Sequence, residues 1–190
     1  MKTVGVSDFI RNQMKKNGKS ELVNISIEEV ARYAEIYLNQ GKFKEGYRDG
    51  VIIIESRDES FYRNFKCPIT KIDNNTKLTC KTTKRQPKED HYIQIRALNG
   101  KPLKTIGVEL ILYRKDVLEE TNENSTSADW ELIAFHAIPD GIDKLPMKPA
   151  TMMRNQLQLE GGTKACYSSE EWAESVNFWQ KYTFFDNDNN

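Results

Sequence analysis

The chain has 190 residues, of which 38% are hydrophobic and 29% are charged, and its positive and negative side chains balance to a formal net charge of zero. This size and composition predict one soluble globular domain with its own core, and they exclude a chain that binds polyanions through its overall charge. The three cysteines, Cys67, Cys80 and Cys166, are an odd number at wide spacings, which excludes a disulfide framework and favours reduced thiols.

The location that these features predict is cytoplasmic. The first residues lack the apolar region of a signal peptide, and no stretch approaches the roughly 20 apolar residues that a membrane span needs.

The N-terminal part predicts two helices. Ser7 can cap a short helix, DFIRNQMKKNG, and Ser26 and Glu29 form a capping box for a better-defined second one. Apolar residues recur at helical spacing after Ser26, and Gly41 is placed to end this helix in a left-handed conformation.

The middle of the chain predicts strands. Residues 51–54 read as a strand buried on both faces, and residues 76–83, 91–97, 106–113 and 130–138 are the further strand candidates. The strand candidate over residues 106–113 is expected to point Val108, Leu110 and Leu112 inwards. The polar segment TNENSTSAD between the last two candidates is expected to be an exposed, mobile loop.

The C-terminal part predicts two more helices and a tail. Residues 152–159 read as a short helix ended by two glycines, and a second capping box, Ser168 and Glu171, starts an aromatic helix over residues 172–185. Residues 186–190 are expected to be disordered. The predicted fold is therefore α+β: a mostly antiparallel sheet of five to seven strands packed with two longer helices, as a single domain over residues 1–185.

His136 is the first candidate for chemistry. It lies within WELIAFHAIP, and in a regular strand it shares a face with Trp130, Leu132 and Ile138. A partly buried histidine there can act as a general base. The alternative is a structural histidine at the rim of the core.

A second candidate is a ligand-binding group that follows the prolines of the C-terminal part. Its residues are Thr151, Arg154, Asn155, Gly161, Gly162 and Thr163. An arginine fork and glycine amides can together hold a carboxylate or phosphate. The alternatives are a structural ion pair for the arginine and a simple helix end at the first glycine. The segment GGTK lacks the spacing of a phosphate-binding loop.

Cys166 is a weaker catalytic candidate. It precedes the last helix, whose N-terminus can lower the pKa of a thiol, and it can pair with His136 as a nucleophile and base. Inert packing is the more ordinary role of a cysteine. The sequence predicts no metal site and no cofactor, since the chain has only two histidines and no paired cysteine motif.

The uneven distribution of charge gives the alternative function. Eleven Lys or Arg residues lie between residues 61 and 105, but lysines on alternating strand positions more often form a solvated face, so nucleic acid is disfavoured as a partner. The aromatic residues of the predicted 172–185 helix can instead dock a partner protein or a second copy of the chain.

Five segments carry a resemblance that covers most of the chain, from about residue 22 to residue 182. They are GYRDGVIII, VELILYRKDVL, DWELIAFHAIP, PMKPATMMRNQL and GGTKACYSSEEW. In this order they resemble a family of mid-sized proteins known only as a conserved domain of unknown function. The resemblance implies one compact domain and no activity.

The sequence therefore predicts a protein that binds an anionic small molecule, with His136 lining the pocket and with catalysis left open. The alternative is a non-catalytic interaction module that uses the aromatic C-terminal helix or the basic strands.

Overall fold

The computed structural model describes residues 1–17, 22–85, 90–115, 128–157 and 166–186. The helices are α1 (Asp8–Asn17), α2 (Ile27–Asn39), α3 (Glu59–Tyr62), α4 (Pro149–Leu157) and α5 (Ser169–Trp179). The strands are β1 (Val4–Val6), β2 (Lys44–Glu45), β3 (Val51–Ser56), β4 (Ile69–Lys71), β5 (Leu78–Arg85), β6 (Asp90–Ala97), β7 (Thr105–Arg114), β8 (Trp130–Pro139) and β9 (Tyr182–Phe185). They belong to two compact units: unit 1 is Met1–Cys67 with Lys104–Gly141, and unit 2 is Pro68–Leu103 with Ile142–Asn190.

Unit 1 is built on a five-stranded sheet with the order β1-β8-β7-β3-β2. The sheet is mixed, because β1 runs parallel to β8 while β8, β7, β3 and β2 pair antiparallel. Val108, Leu110 and Leu112 are fully buried on one face of β7, as the alternation of the sequence predicts. They belong to one apolar core that also contains residues of α1, α2 and α3.

Helix α2 follows the signals in the sequence. The Ser26 side chain accepts a hydrogen bond from the Glu29 amide at 3.2 Å, so the predicted N-terminal cap is confirmed. Val30, Ala34 and Leu38 form its buried face. The chain leaves the helix through Gly41, whose φ of 71° is a left-handed conformation that disfavours residues with a Cβ.

Side chains of α2 cover the outer edge of β1. A Glu35 carboxylate oxygen accepts a hydrogen bond from the Val4 amide at 3.0 Å. The Asn39 side chain binds both the amide and the carbonyl of Lys2, at 2.9 and 2.8 Å. These are backbone groups that point away from β8, so α2 provides the partners that a further strand would otherwise supply.

Unit 2 is built on a four-stranded sheet with the order β4-β9-β6-β5. This sheet is also mixed: β9 runs parallel to β6 and antiparallel to β4, and β5 and β6 form an antiparallel hairpin. Helices α4 and α5 contact each other, and α5 contacts β9. Thr70 and Thr183, which pair on β4 and β9, are both buried.

The α+β class is confirmed, but the finer description from the sequence is wrong. The structure has two mixed sheets, of five and four strands, where one mostly antiparallel sheet was expected. The helices are short: α2, the longest in the described part of the chain, has 13 residues. The additional strands β1, β2, β4 and β9 have two to four residues each, too few for alternation to mark them.

Three other expectations are not tested. The single domain over residues 1–185 stays a prediction. Apart from Asp186, the predicted disordered tail consists of residues 187–190. Most of the predicted mobile loop consists of residues 121–127. Both of these ranges lie outside the described residues.

None of the described helices has the length and apolarity that a bilayer crossing requires.

We predict that Glu35→Ala lowers the free energy of unfolding by about 1 to 2 kcal/mol, because it leaves the part-buried Val4 amide without its acceptor. Glu35→Gln keeps an acceptor oxygen and is expected to lose less. Urea denaturation measures both variants, with exposed Arg32→Ala on the same helix as the control. Equal loss in Glu35→Ala and Arg32→Ala would show that the edge of β1 does not depend on this bond.

Candidate functional site

His136 lies on the exposed face of the unit 1 sheet. In the β7–β8 register Ala134 pairs with Ile111 and Leu132 pairs with Leu112, so Ile133 is an extra residue in β8. This bulge shifts every later side chain to the opposite face. The predicted common face of His136 with Trp130 and Leu132 is therefore wrong: those two residues are buried, and His136 is exposed.

His136 is one end of a row of titratable side chains that crosses three strands. Glu55 pairs with Glu109, and Glu109 pairs with His136. Arg57 binds Glu55 at 3.1 Å and partly balances the two adjacent carboxylates. No three His, Cys, Asp or Glu side chains of the described residues group as metal ligands. In this row Glu55 and His136 are exposed and Glu109 is half-buried. The role of His136 as a catalytic residue stays a prediction.

The predicted ligand-binding group lies largely outside the described residues. Thr151 is half-buried in the first turn of α4. Arg154 and Asn155 belong to the same helix by their backbone, but their side chains are not described, and neither are Gly161, Gly162 and Thr163. Convergence of the six residues on one anion therefore stays a prediction.

Cys166 is an exposed free thiol two residues before Ser168, the N-cap of α5. It belongs to unit 2, whereas His136 belongs to unit 1. Their pairing as nucleophile and base stays a prediction.

The predicted aromatic helix over residues 172–185 is wrong in its second half. Its capping box is confirmed, since the Ser168 hydroxyl accepts from the Glu171 amide at 3.1 Å. The helix ends at Trp179, however, and Tyr182–Phe185 form β9. The segment YTFF has the aromatic and β-branched residues typical of strands, and no glycine or proline marks the end of the helix in the sequence.

This change of structure brings Phe184 into an aromatic pair with Trp179. Their rings stack with centroids 5.3 Å apart and planes 15° apart. The Trp179 indole also donates to the Pro146 carbonyl at 3.1 Å, which fixes the ring against the segment before α4.

Two cationic side chains lie against the Phe184 ring. The Lys148 ammonium nitrogen is 3.8 Å from its centroid and 5.7 Å from that of Trp179. The Arg96 guanidinium carbon is 5.4 Å from the Phe184 centroid. We call Arg96, Lys148, Trp179 and Phe184 the Phe184 cluster. Each cation is attracted by the electron-rich ring face, so the Phe184 ring contacts two positively charged side chains.

The backbone sets the position of each cation. Arg96 is the direct partner of Phe184 in the parallel β6–β9 pair. Lys148 immediately precedes α4, and its carbonyl accepts from the Met152 amide at 3.0 Å. The buried Ser175 hydroxyl of α5 donates to the Met147 carbonyl at 2.5 Å, which anchors the residue before Lys148.

Arg96 is incompletely satisfied by the protein. One guanidinium nitrogen donates to Gln94 at 2.7 Å, but its Nε is buried and has no hydrogen-bond partner in the described part of the chain. Burial lowers the pKa of Arg96 below its ordinary value, and the charge of Asp186 opposes this shift. Arginine nevertheless remains protonated in proteins. The cluster therefore presents two cations, one of them with an unused donor, and it can attract an anion.

No pattern in the sequence predicts this cluster directly, because its residues come from four separate segments. Pro146 and Pro149, which bracket Lys148, mark a fixed segment, and Arg96 stands at a polar position of an alternating strand. Neither pattern connects residue 96 to residue 184. That connection requires the non-local pairing of β6 with β9.

No curated protein matches the chain. A search of solved structures found the crystal structure of a conserved hypothetical protein from Toxoplasma gondii ME49, with a TM-score of 0.63 and 19% sequence identity. The similarity covers 87% of this chain and 88% of that one, and at this identity it concerns the fold alone.

A sequence model described as a protein of unknown function, DUF3228, matches residues 4–185. The match confirms the resemblance that the five segments carry and extends it towards both ends. The chain belongs to the DUF3228 family of proteins of unknown function.

Proposed function

We propose that this protein binds a small anionic molecule, a carboxylate or a phosphate, at the Phe184 cluster. The observation that carries the proposal is the state of Arg96: a partly buried guanidinium that binds Gln94 but whose Nε has no hydrogen-bond partner among the described residues, beside the ring that Lys148 also contacts. Burying a charged donor without a partner costs free energy, and an anion beside the guanidinium would offset that cost.

The chemistry of the two cations supports this ligand class. Guanidinium groups match the geometry of carboxylate and phosphate oxygens, and an ammonium adds a second charge without demanding one orientation. Arg96 and Lys148 both lie against the Phe184 ring, so an anion bound beside either of them would offset part of the positive charge of the cluster.

The start of α4 adds to the same region. Lys148 directly precedes the helix, and its first residue, Pro149, has no amide hydrogen. The amides of Ala150 and Thr151 follow in the first turn, where backbone groups carry partial positive charge. Thr151 thus keeps its predicted role as a ligand-binding residue, and Arg154 and Asn155 remain predicted contributors from the same helix.

The function proposed for the Phe184 cluster is binding without catalysis. The side chains of the cluster are two cations and two aromatic rings, and none of them is a ready proton acceptor or nucleophile at neutral pH. The Trp179 and Phe184 rings are half-buried and provide apolar surface next to the charges. A ligand with a flat or apolar part beside its anionic group fits this surface best.

We predict that Arg96→Met leaves the free energy of unfolding within about 0.5 kcal/mol of the wild type or raises it by up to about 1 kcal/mol. The substitution removes a buried donor that has no partner and keeps an unbranched apolar stem. Urea denaturation measures the change. Ile69→Ala, a truncation in the same unit, is expected to cost about 2 to 5 kcal/mol and shows that the method responds. A loss of more than about 2 kcal/mol in Arg96→Met would give Arg96 a structural role and remove the main support for the site.

We predict that a ligand found in a screen of phosphates and carboxylates raises the melting temperature of the wild type but not that of Arg96→Met or Lys148→Met. At about ten times its Kd, one bound ligand adds roughly 1.4 kcal/mol to the free energy of unfolding. For a chain of this length that is roughly 3 to 5 °C in Tm.

The matched control is Lys71→Met, which removes an exposed lysine on β4 of the same sheet. It is expected to keep the full shift. A shift that survives in Arg96→Met and Lys148→Met, or that disappears equally in Lys71→Met, would place the anion elsewhere.

A further inference from the structure

Strand β5 forms an open edge of the unit 2 sheet. It has eight residues and is the outermost strand next to β6. The other sheet edges are shorter or covered: β1 is covered by Glu35 and Asn39, β2 has two residues, and the Ile69 carbonyl of β4 accepts from the Leu103 amide at 2.7 Å. Among the described residues, β5 is therefore the longest sheet edge with no strand paired to its outer side.

The register of the hairpin identifies the backbone groups of β5 that point outwards. The Lys77 carbonyl accepts from the Leu98 amide at 2.7 Å, so residue 77 faces β6. In an antiparallel pair, residues alternate between facing the partner strand and facing away from it. The amides and carbonyls of Leu78, Cys80 and Thr82 consequently point to the open side.

The two faces of this edge differ in chemistry. Leu78 and Ile95 are 47% and 49% exposed, and with the exposed Cys80 they form an apolar patch on one face. The exposed Lys81 lies on the opposite face, one position away from Cys80 along β5. A solvated edge is normally protected by charge on its exposed positions, whereas here one face carries apolar side chains.

We propose that β5 binds an extended peptide segment of another protein by strand addition, and that this segment alternates apolar and acidic residues. Its backbone would pair with the outward groups of Leu78, Cys80 and Thr82. Its apolar side chains would lie beside Leu78 and Cys80, and its acidic side chains would lie beside Lys81. Main-chain hydrogen bonds provide most of the affinity in this mode, and alternate side chains provide the specificity.

Charge selects this occupant over a second copy of the chain. The sequence of β5, LTCKTTKR, contains three basic residues and no acidic one. Two copies paired edge to edge would place like charges on neighbouring strands, which is unfavourable, whereas an acidic strand would bring opposite charges together. An acidic protein segment is therefore the partner that we propose for the basic region between residues 61 and 105, in place of a nucleic acid.

The test uses the full chain and a fluorescein-labelled peptide of alternating Glu and Val residues, eight residues long to match β5. Fluorescence anisotropy measures binding, with a peptide of alternating Lys and Val and a peptide methylated on alternate backbone nitrogens as probes of charge and of pairing. We expect the Glu–Val peptide to bind, the Lys–Val peptide to bind at least about tenfold more weakly, and backbone methylation to abolish binding.

Two variants of the protein test the contribution of charge and the contribution of backbone pairing to peptide binding. Lys81→Glu is expected to weaken binding of the Glu–Val peptide about tenfold, while Lys71→Glu, the same charge change on β4, leaves it unchanged. Thr82→Pro removes an amide hydrogen that points outwards and leaves the β5–β6 ladder intact, so it is expected to abolish binding. Circular dichroism checks that each variant keeps its fold, and Lys81→Glu carries the test if Thr82→Pro does not fold.

The proposal is overturned if the wild type does not bind the Glu–Val peptide, if the Lys–Val peptide binds as well, or if folded Thr82→Pro binds with wild-type affinity. It is also overturned if light scattering finds a wild-type dimer that Thr82→Pro dissociates, because a second copy would then occupy the edge. Because Lys81 pairs with Gln94, the hydrogen-bond partner of Arg96, the ligand of the Phe184 cluster is tested separately, by Arg96→Met and Lys148→Met.

Discussion

The arrangement of unit 2 depends on the position of β9 between β4 and β6. Within the described pairings, β4 joins the sheet only through β9, and β9 joins β6 by a parallel pair of two residues. The buried Thr183 hydroxyl strengthens this junction by donating to the Ile95 carbonyl of β6. Because Phe184 is the next residue, the same junction sets its ring beside Arg96. A strand of four residues near the C-terminus thus joins the sheet and positions the candidate site together.

A comparable constraint acts in unit 1 through the bulge at Ile133. The bulge allows both halves of β8 to contribute apolar residues to one core, with Leu132 before it and Phe135 after it buried on the same face. A regular strand would place only one of these two residues there. The consequence for chemistry is that His136 moves to the exposed face opposite Glu109. Extra residues of this kind re-aim side chains without interrupting the sheet.

The sequence predicted the structural features that depend on residues close together along the chain. Both capping boxes, the apolar face of α2 and the inward residues of β7 follow from spacing alone, and each is confirmed. It did not predict what depends on distant segments. A parallel partner for β1 or β9 leaves no local pattern, and YTFF reads equally well as the continuation of an aromatic helix. The bulge in β8 is likewise invisible in a nearly continuous apolar run.

The same division applies to the candidate site. The expectation of an anion site built from residues 151–163 came from local features, and of these residues Thr151 lies in the first turn of α4. The partners that give the site its charge and its aromatic wall, Arg96 and Phe184, come from strands that meet only in the folded sheet. Residue types led to the prediction of an anionic ligand, and the pairing of distant strands was needed to place Arg96 beside Phe184.

The most direct measurement is the proton–nitrogen resonance of the Arg96 Nε group, assigned by its loss in Arg96→Met and followed while inorganic phosphate or acetate is added. If the Phe184 cluster binds anions, this resonance moves and saturates with at least one of the two, while that of Arg57, already paired with Glu55 at 3.1 Å, stays in place. An Arg96 resonance that remains still with both anions, or that moves no more than that of Arg57, would contradict an anion site at this cluster.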